Sequence, residues 1–127
     1  MYLKSALACS LLFVTACSET QADETGGDNL LPTAAIVKVA EQSSPKSKTV
    51  AALYDRSCRT CHSLENSGAP LTGHKGAWKA RLDEKGMEEL ITSTKDGYNA
   101  MPPMGLCNDC SDDDFKALIL FMAGDEK

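Results

Sequence analysis

A histidine directly behind a C-x-x-C pair, in Cys58-Arg59-Thr60-Cys61-His62, constrains this chain more than any other feature. It has to be read beside the other cysteines, six in all. Cys107 and Cys110 form a second C-x-x-C pair, and Cys9 and Cys17 lie near the N-terminus. Closely spaced thiols bind metal, pair as a disulfide or enter covalent chemistry, and the compartment decides which.

The N-terminus indicates that compartment. Lys4 is a short positive n-region, and Ser5 to Thr15 is an uncharged apolar run too short to cross a bilayer. It ends in Val14-Thr15-Ala16-Cys17, which resembles the lipobox of bacterial lipoproteins. In that family the signal is cut before the cysteine, whose sulfur is lipidated and whose new amino group is acylated. The resemblance therefore implies a signal peptide over 1–16 and a lipid anchor at Cys17, on the periplasmic side of a bacterial membrane. Several acyl chains anchor stably where one would not. Ser18 in place of Asp behind the cysteine points, by the same resemblance, to the outer membrane. The plainer reading is an ordinary cleaved secretory signal with Cys17 incidental.

Residues 17–45 read as a flexible tether of Ser, Thr, Gly, Asp and Pro, with a root-mean-square reach of roughly 30 Å. Within it Leu30 to Ala40 is too apolar for a pure spacer, and either packs as a short helix or stays loose. From 46 to 127 the pattern is that of one all-α domain with about four short helices. Val50, Leu53 and Tyr54 make an apolar stripe that runs into Cys58. Ala77 to Leu82 and Met87 to Thr94 read as two helices split near Gly86. Ser111-Asp112-Asp113-Asp114 is a capping-box start for a last helix carrying Phe115, Leu118, Ile119 and Met122 on one face. So small a domain buries too little surface to be stable without a staple. Aromatics are only 6% of the chain, which leaves room in the core for something that is not protein.

C-x-x-C-H names that filler, since it is the attachment signature of c-type haem. At the end of a helix two thiols can meet the two vinyl groups on one porphyrin edge. The next residue then turns its imidazole under the iron. Cys58 and Cys61 are thus the covalent sites and His62 the first axial ligand. A low-spin electron carrier needs a second, and Met101 of Asn99-Ala100-Met101-Pro102-Pro103 is the candidate. Its thioether favours ferrous iron, and the two prolines stiffen the loop that must hold a weak bond. Met104 and His74 are the rival ligands.

With these residues in view, 46–127 resembles a class I c-type cytochrome, and in particular the small bacterial cytochromes of the c-five type. The matching pieces are the C-x-x-C-H segment, Gly68-Ala69-Pro70, the Trp78 segment, Tyr98-Asn99-Ala100-Met101-Pro102-Pro103, and Gly105-Leu106-Cys107 with Cys110-Ser111-Asp112. The resemblance implies the cytochrome c fold, one covalent heme c and His62/Met101 ligation. It also implies that Pro70 is the proline whose neighbouring carbonyl orients the imidazole. In that subgroup the second pair is a disulfide, which carries over to Cys107–Cys110 as a structural clip. A redox-active dithiol is the other reading of that pair. Met104 departs from the pattern, which would have Lys or another polar residue there.

The expected function is single-electron transfer between redox partner proteins, without enzymatic activity or a small-molecule substrate. A net charge of −5 and a pI near 4.9 argue against nucleic acid. Two rivals stand beside it. One is a haem with an open sixth position that binds gas or peroxide, and the other a zinc module using both cysteine pairs. Charge divides along the domain, with seven basic residues in 46–81 and eleven acidic ones in 82–127. A basic half ringing the haem edge would steer an acidic partner.

Overall fold

A computed structural model describes residues 31–126. The expected signal peptide, Cys17 and the expected tether up to residue 30 lie outside the described residues. The architecture is all-α: α1 (Ala34–Gln42), α2 (Lys48–Leu53), α3 (Arg59–His62), α4 (Lys75–Asp96) and α5 (Asp112–Ala123). Among the described residues there is no β-strand, only a single bridge between Tyr98 and Met101. No described helix is long and apolar enough to cross a membrane.

Residues 48–62 run as one helical rod. Ser47 opens it by accepting the Val50 amide, and α2 and α3 are joined by a wide π turn over Tyr54–Cys58. There the Arg59 amide reaches back five residues to the Tyr54 carbonyl. The extra residue in this turn is a feature the periodicity did not announce. It turns Tyr54, Cys58 and His62 inward while Cys61 stays exposed.

The two-helix reading of 77–94 is met by a kink within α4. Gly86 sits at φ 75°, ψ 167°, an extended mirror-image conformation that only glycine adopts cheaply. The capping box at Ser111 is also present, with Asp114 returning a bond to the Ser111 amide at 2.9 Å. α5 then buries Phe115, Leu118, Ile119 and Met122, and its Phe121 meets Tyr54 edge to face at 4.9 Å. Counting the 48–62 rod, the two halves of α4, and α5, the domain has the four helices expected.

Within the segment expected to be a tether, Ala34–Gln42 is a helix. Thr33 caps α1 by accepting the Ile36 amide, and Ala40 has no exposed surface. Residues 31–45 therefore do not hang free at the domain side of the tether. Ile36 and Val37 are half-buried, and Ala40 is the buried residue of this helix.

Candidate functional site

The helices enclose a cleft of about 500 Å³, within the range of cofactor sites. The 48–62 rod contributes Cys58, Cys61 and His62 to its lining, the loop after α4 contributes Met101, Gly105 and Leu106, and the core contributes Trp78, Leu90, Leu118 and Met122. Most of these are apolar, so the cleft suits a large flat hydrophobic group carrying a metal.

His62 is almost fully buried at 5% exposure. Its Nδ1 lies 2.8 Å from the Pro70 carbonyl. A carbonyl only accepts, so Nδ1 carries the proton and Nε2 keeps its lone pair. Burial holds the imidazole's pKa below its ordinary value, against the opposing pull of the Pro70 bond and with the Arg81 charge adding to it. A neutral ring with Nε2 bare is the form that binds a metal. The bond comes from Pro70's own carbonyl, where the resemblance pointed to a neighbouring one.

The loop carrying Pro70 is tied on every side. The Thr72 amide donates to the His62 carbonyl at 2.8 Å, and the Gly73 amide to Met122 at 2.7 Å. Trp78 Nε1 donates to the Leu71 carbonyl at 2.8 Å, and its ring lies 5.6 Å from the His62 ring. The Tyr54 hydroxyl and Thr72 Oγ1 share a bond of 2.8 Å. Cys58 is buried, and desolvation raises its thiol pKa. Cys58 and Cys61 are both free of any disulfide.

Met101 is presented by a tight turn. Tyr98 and Met101 exchange backbone bonds of 3.1 and 2.9 Å around Asn99, which sits at φ 54°. Gly97, at φ 87°, opens the turn, and a Cβ there would meet Met101 O and Pro103 N at 3.0 Å. The Met101 methyl lies over Gly105, where a Cβ would come within 2.9 Å of it. Met104 does not line the cleft and packs instead against the core. His74 is buried at the start of α4 and lines a separate, smaller cleft of about 230 Å³. The geometry thus brings Cys58, Cys61, His62 and Met101 to one cleft and leaves Met104 and His74 out.

Cys107 and Cys110 are joined as a disulfide with Cα atoms 5.4 Å apart, and both are buried. They cannot then converge with Cys58 and Cys61 on a zinc ion. Among the described residues no three His, Cys, Asp or Glu side chains gather as a metal site. Arg56 holds this corner by an ion pair to Asp109 at 2.7 Å, with Nη2 also 3.5 Å from Cys107 Sγ.

Sequence reading missed Arg56 in this role, and it missed Arg81. Arg81 lines the cleft and donates to the Ala77 carbonyl at 2.7 Å. Its position three residues past Trp78 on one helical face was the available signal. Among the described residues, three cations of the basic half are ion-paired. Arg56 pairs with Asp109, Arg59 with Asp55 and Lys79 with Asp83, while the Lys46 backbone amide donates to the Glu126 carboxylate.

Comparison with known proteins points the same way. Residues 45–122 match the family described as cytochrome C oxidase, cbb3-type, subunit III. Cytochrome c5 of Azotobacter vinelandii is 47% identical over 68 residues, which is 53% of this chain and 82% of that one. A mono-heme ferrocytochrome c from Shewanella putrefaciens superposes with a TM-score of 0.53 at 43% identity, over 58% of this chain and 90% of its own. The cytochrome c in an electron transfer complex with nitrite reductase gives 0.54 at 27% identity, over 64% and 98%.

Proposed function

The chain belongs to the monohaem c-type cytochromes related to cytochrome c5, electron carriers and not enzymes, and from that premise we propose how its residues do the work. A covalent c-type haem supplies the one-electron couple when bound. Cys58 and Cys61 would hold it through thioether bonds, His62 Nε2 and Met101 Sδ would be the side chains offered to its iron, and the Pro70 carbonyl would fix the imidazole. The observation that carries this reading is the His62 Nδ1 bond to the Pro70 carbonyl, in the cleft that Met101 also lines. That bond selects the tautomer and makes the ring a stronger donor. Trp78, Leu118 and Met122 exclude water, which keeps reorganisation on electron transfer small. The Cys107–Cys110 clip and Pro102-Pro103 keep the methionine loop in place.

In this proposal the domain is exported and anchored at Cys17 on the periplasmic side of a membrane. The residues between the anchor and α1 give it reach between donor and acceptor. Its partners are redox proteins, and an enzyme of the nitrite reductase kind is one acceptor the related complex suggests.

Oxidised and reduced absorption spectra test the site, with acidic solvent extraction of the haem. The expected result is non-extractable haem, a sharp reduced c-type spectrum and the weak methionine–iron charge-transfer band when oxidised. Covalent haem lacking that band and binding carbon monoxide would replace Met101 ligation with an open sixth position. Labelling with radioactive fatty acid, lost in Cys17→Ser, tests the anchor.

A further inference from the structure

The family match begins at residue 45, yet α1 ends just before it and is docked on the domain. We propose that α1 is a buttress for the loop 68–74, which makes Val39 and Arg59 positioning residues for His62. The proposal rests on the reading of His62 as the iron ligand.

Three contacts carry it. Val39 Cγ1 sits so close over Gly73 that a Cβ there would lie 2.6 Å away, and Gly73 is at φ 80°. Pro32, just before α1, walls a cleft together with Gly68, Pro70 and Leu71. Arg59, inside the haem-attachment motif, donates to the Glu41 and Ser43 carbonyls at 3.2 and 2.9 Å. These are the end of α1, where carbonyls lack helical partners and a cation is favoured. Arg59 Nε meanwhile holds Asp55 at 2.7 Å, and the guanidinium lies 4.8 Å over the Tyr54 ring. One arginine therefore clasps α1 to the rod that bears Cys58, Cys61 and His62.

The loop between has two faces. One side gives His62 its Pro70 and Thr72 bonds. The other is covered by α1 and its flanks. With left-handed glycines at both Gly68 and Gly73, the loop has little stiffness of its own. Lifting α1 would let the Pro70 carbonyl drift from Nδ1. A weaker Nδ1 bond makes the imidazole a poorer donor to ferric iron, so the reduction potential should rise.

The test uses full-length holoprotein carrying Ala40→Gln, which puts a bulky neutral group at a position with no exposed surface. A second variant, Arg59→Lys, keeps the charge near the haem but loses the planar fork. NMR of the reduced wild type comes first, because an iron-bound His62 ring is displaced by the haem ring current. A His62 ring without that displacement removes the ligand reading, and the buttress with it. Given the displacement, the His62 Nδ1 proton should exchange with solvent about tenfold faster in Ala40→Gln. It should exchange less markedly faster in Arg59→Lys, and the midpoint potential should rise in both. A ring proton exchanging at the wild-type rate, or a potential that stays or falls, overturns the proposal. Lower thermal stability alone would leave α1 a mere stabiliser and overturn it equally.

Discussion

His62 and Met101 line one cleft, but the chain secures them by different means. Around His62 the hold is a web of hydrogen bonds between buried groups: Pro70, Leu71 and Thr72 on the loop, Tyr54 and Trp78 from the helices. Around Met101 the hold is backbone shape. Asn99, Met104 and Leu106 all sit at positive φ without being glycine, and Gly97 and Gly105 do so beside them. Tyr98 and Leu106 are half exposed. A web of bonds loses strength piece by piece, whereas a strained loop depends on the clip that closes it. The strain has to be offset by the Cys107–Cys110 bond, the Arg56–Asp109 pair and the capped start of α5.

The comparison breaks most visibly at the ligand itself. Met101→Ala should abolish the methionine–iron charge-transfer band entirely and lower the potential, since the thioether favours ferrous iron. Met104→Ala should keep both, and oxidised spectra of the two variants decide it. If Met104→Ala loses the band instead, the loop presents its sulfur differently from the geometry described. Next in size comes the clip. Replacing Cys107 and Cys110 together by Ser should cost about 2 kcal/mol in chain entropy, or on the order of 10 °C in melting temperature. The charge-transfer band should fade on heating well before the haem-side fold melts. Loss of both in one step would mean that the two sides are a single cooperative unit.

On the His62 side a single bond should matter less. Trp78→Phe keeps an aromatic ring, though a smaller one, and leaves the buried Leu71 carbonyl without its donor, at a cost of about 1.5 kcal/mol. Denaturant unfolding of the holoprotein measures it, and the band should persist throughout the native baseline. A Trp78→Phe variant that loses the methionine band would show that the two sides are coupled through the cofactor.

Legibility followed the same division. Helices with strong periodicity and caps could be read directly, as at Ser111 and across the Gly86 break, because each is specified by its own neighbours in sequence. The C-x-x-C-H motif likewise announces its chemistry over five residues. The Pro70 bond came only through resemblance, since a carbonyl eight residues from His62 carries no signal in composition. The π turn at Tyr54–Cys58 and the Arg59 clasp on α1 were not legible. The first is one extra residue inside a good helical pattern, and the second joins groups that are distant in sequence and mostly backbone. Charge counts along the chain do not show which charges meet, and Arg56–Asp109 and Lys79–Asp83 pair residues of the basic half with residues of the acidic one.

The smallest expected effect separates the sides by pH. Two carboxylates near the Met101 loop have pKa values held below the ordinary range: Asp114 by its bonds to Ser111, and Asp109 by Arg56. A folded value below the unfolded one gives stability that is fully present above the unfolded pKa, near 4. It is lost as the pH falls through the depressed folded value. The other bonds of the loop that orients His62 join amide, hydroxyl and indole groups, which do not titrate in that window, and the His62 imidazole itself would be kept neutral by the iron. Acid should therefore loosen the methionine side first, seen as fading of the charge-transfer band below about pH 4 while the haem stays enclosed. Asp114→Asn gives the control, since its melting temperature should lie below wild type at pH 7 and approach it on acidification. A gap that stays constant from pH 7 to pH 3 would mean that Asp114 stabilises α5 through packing and not through its charge.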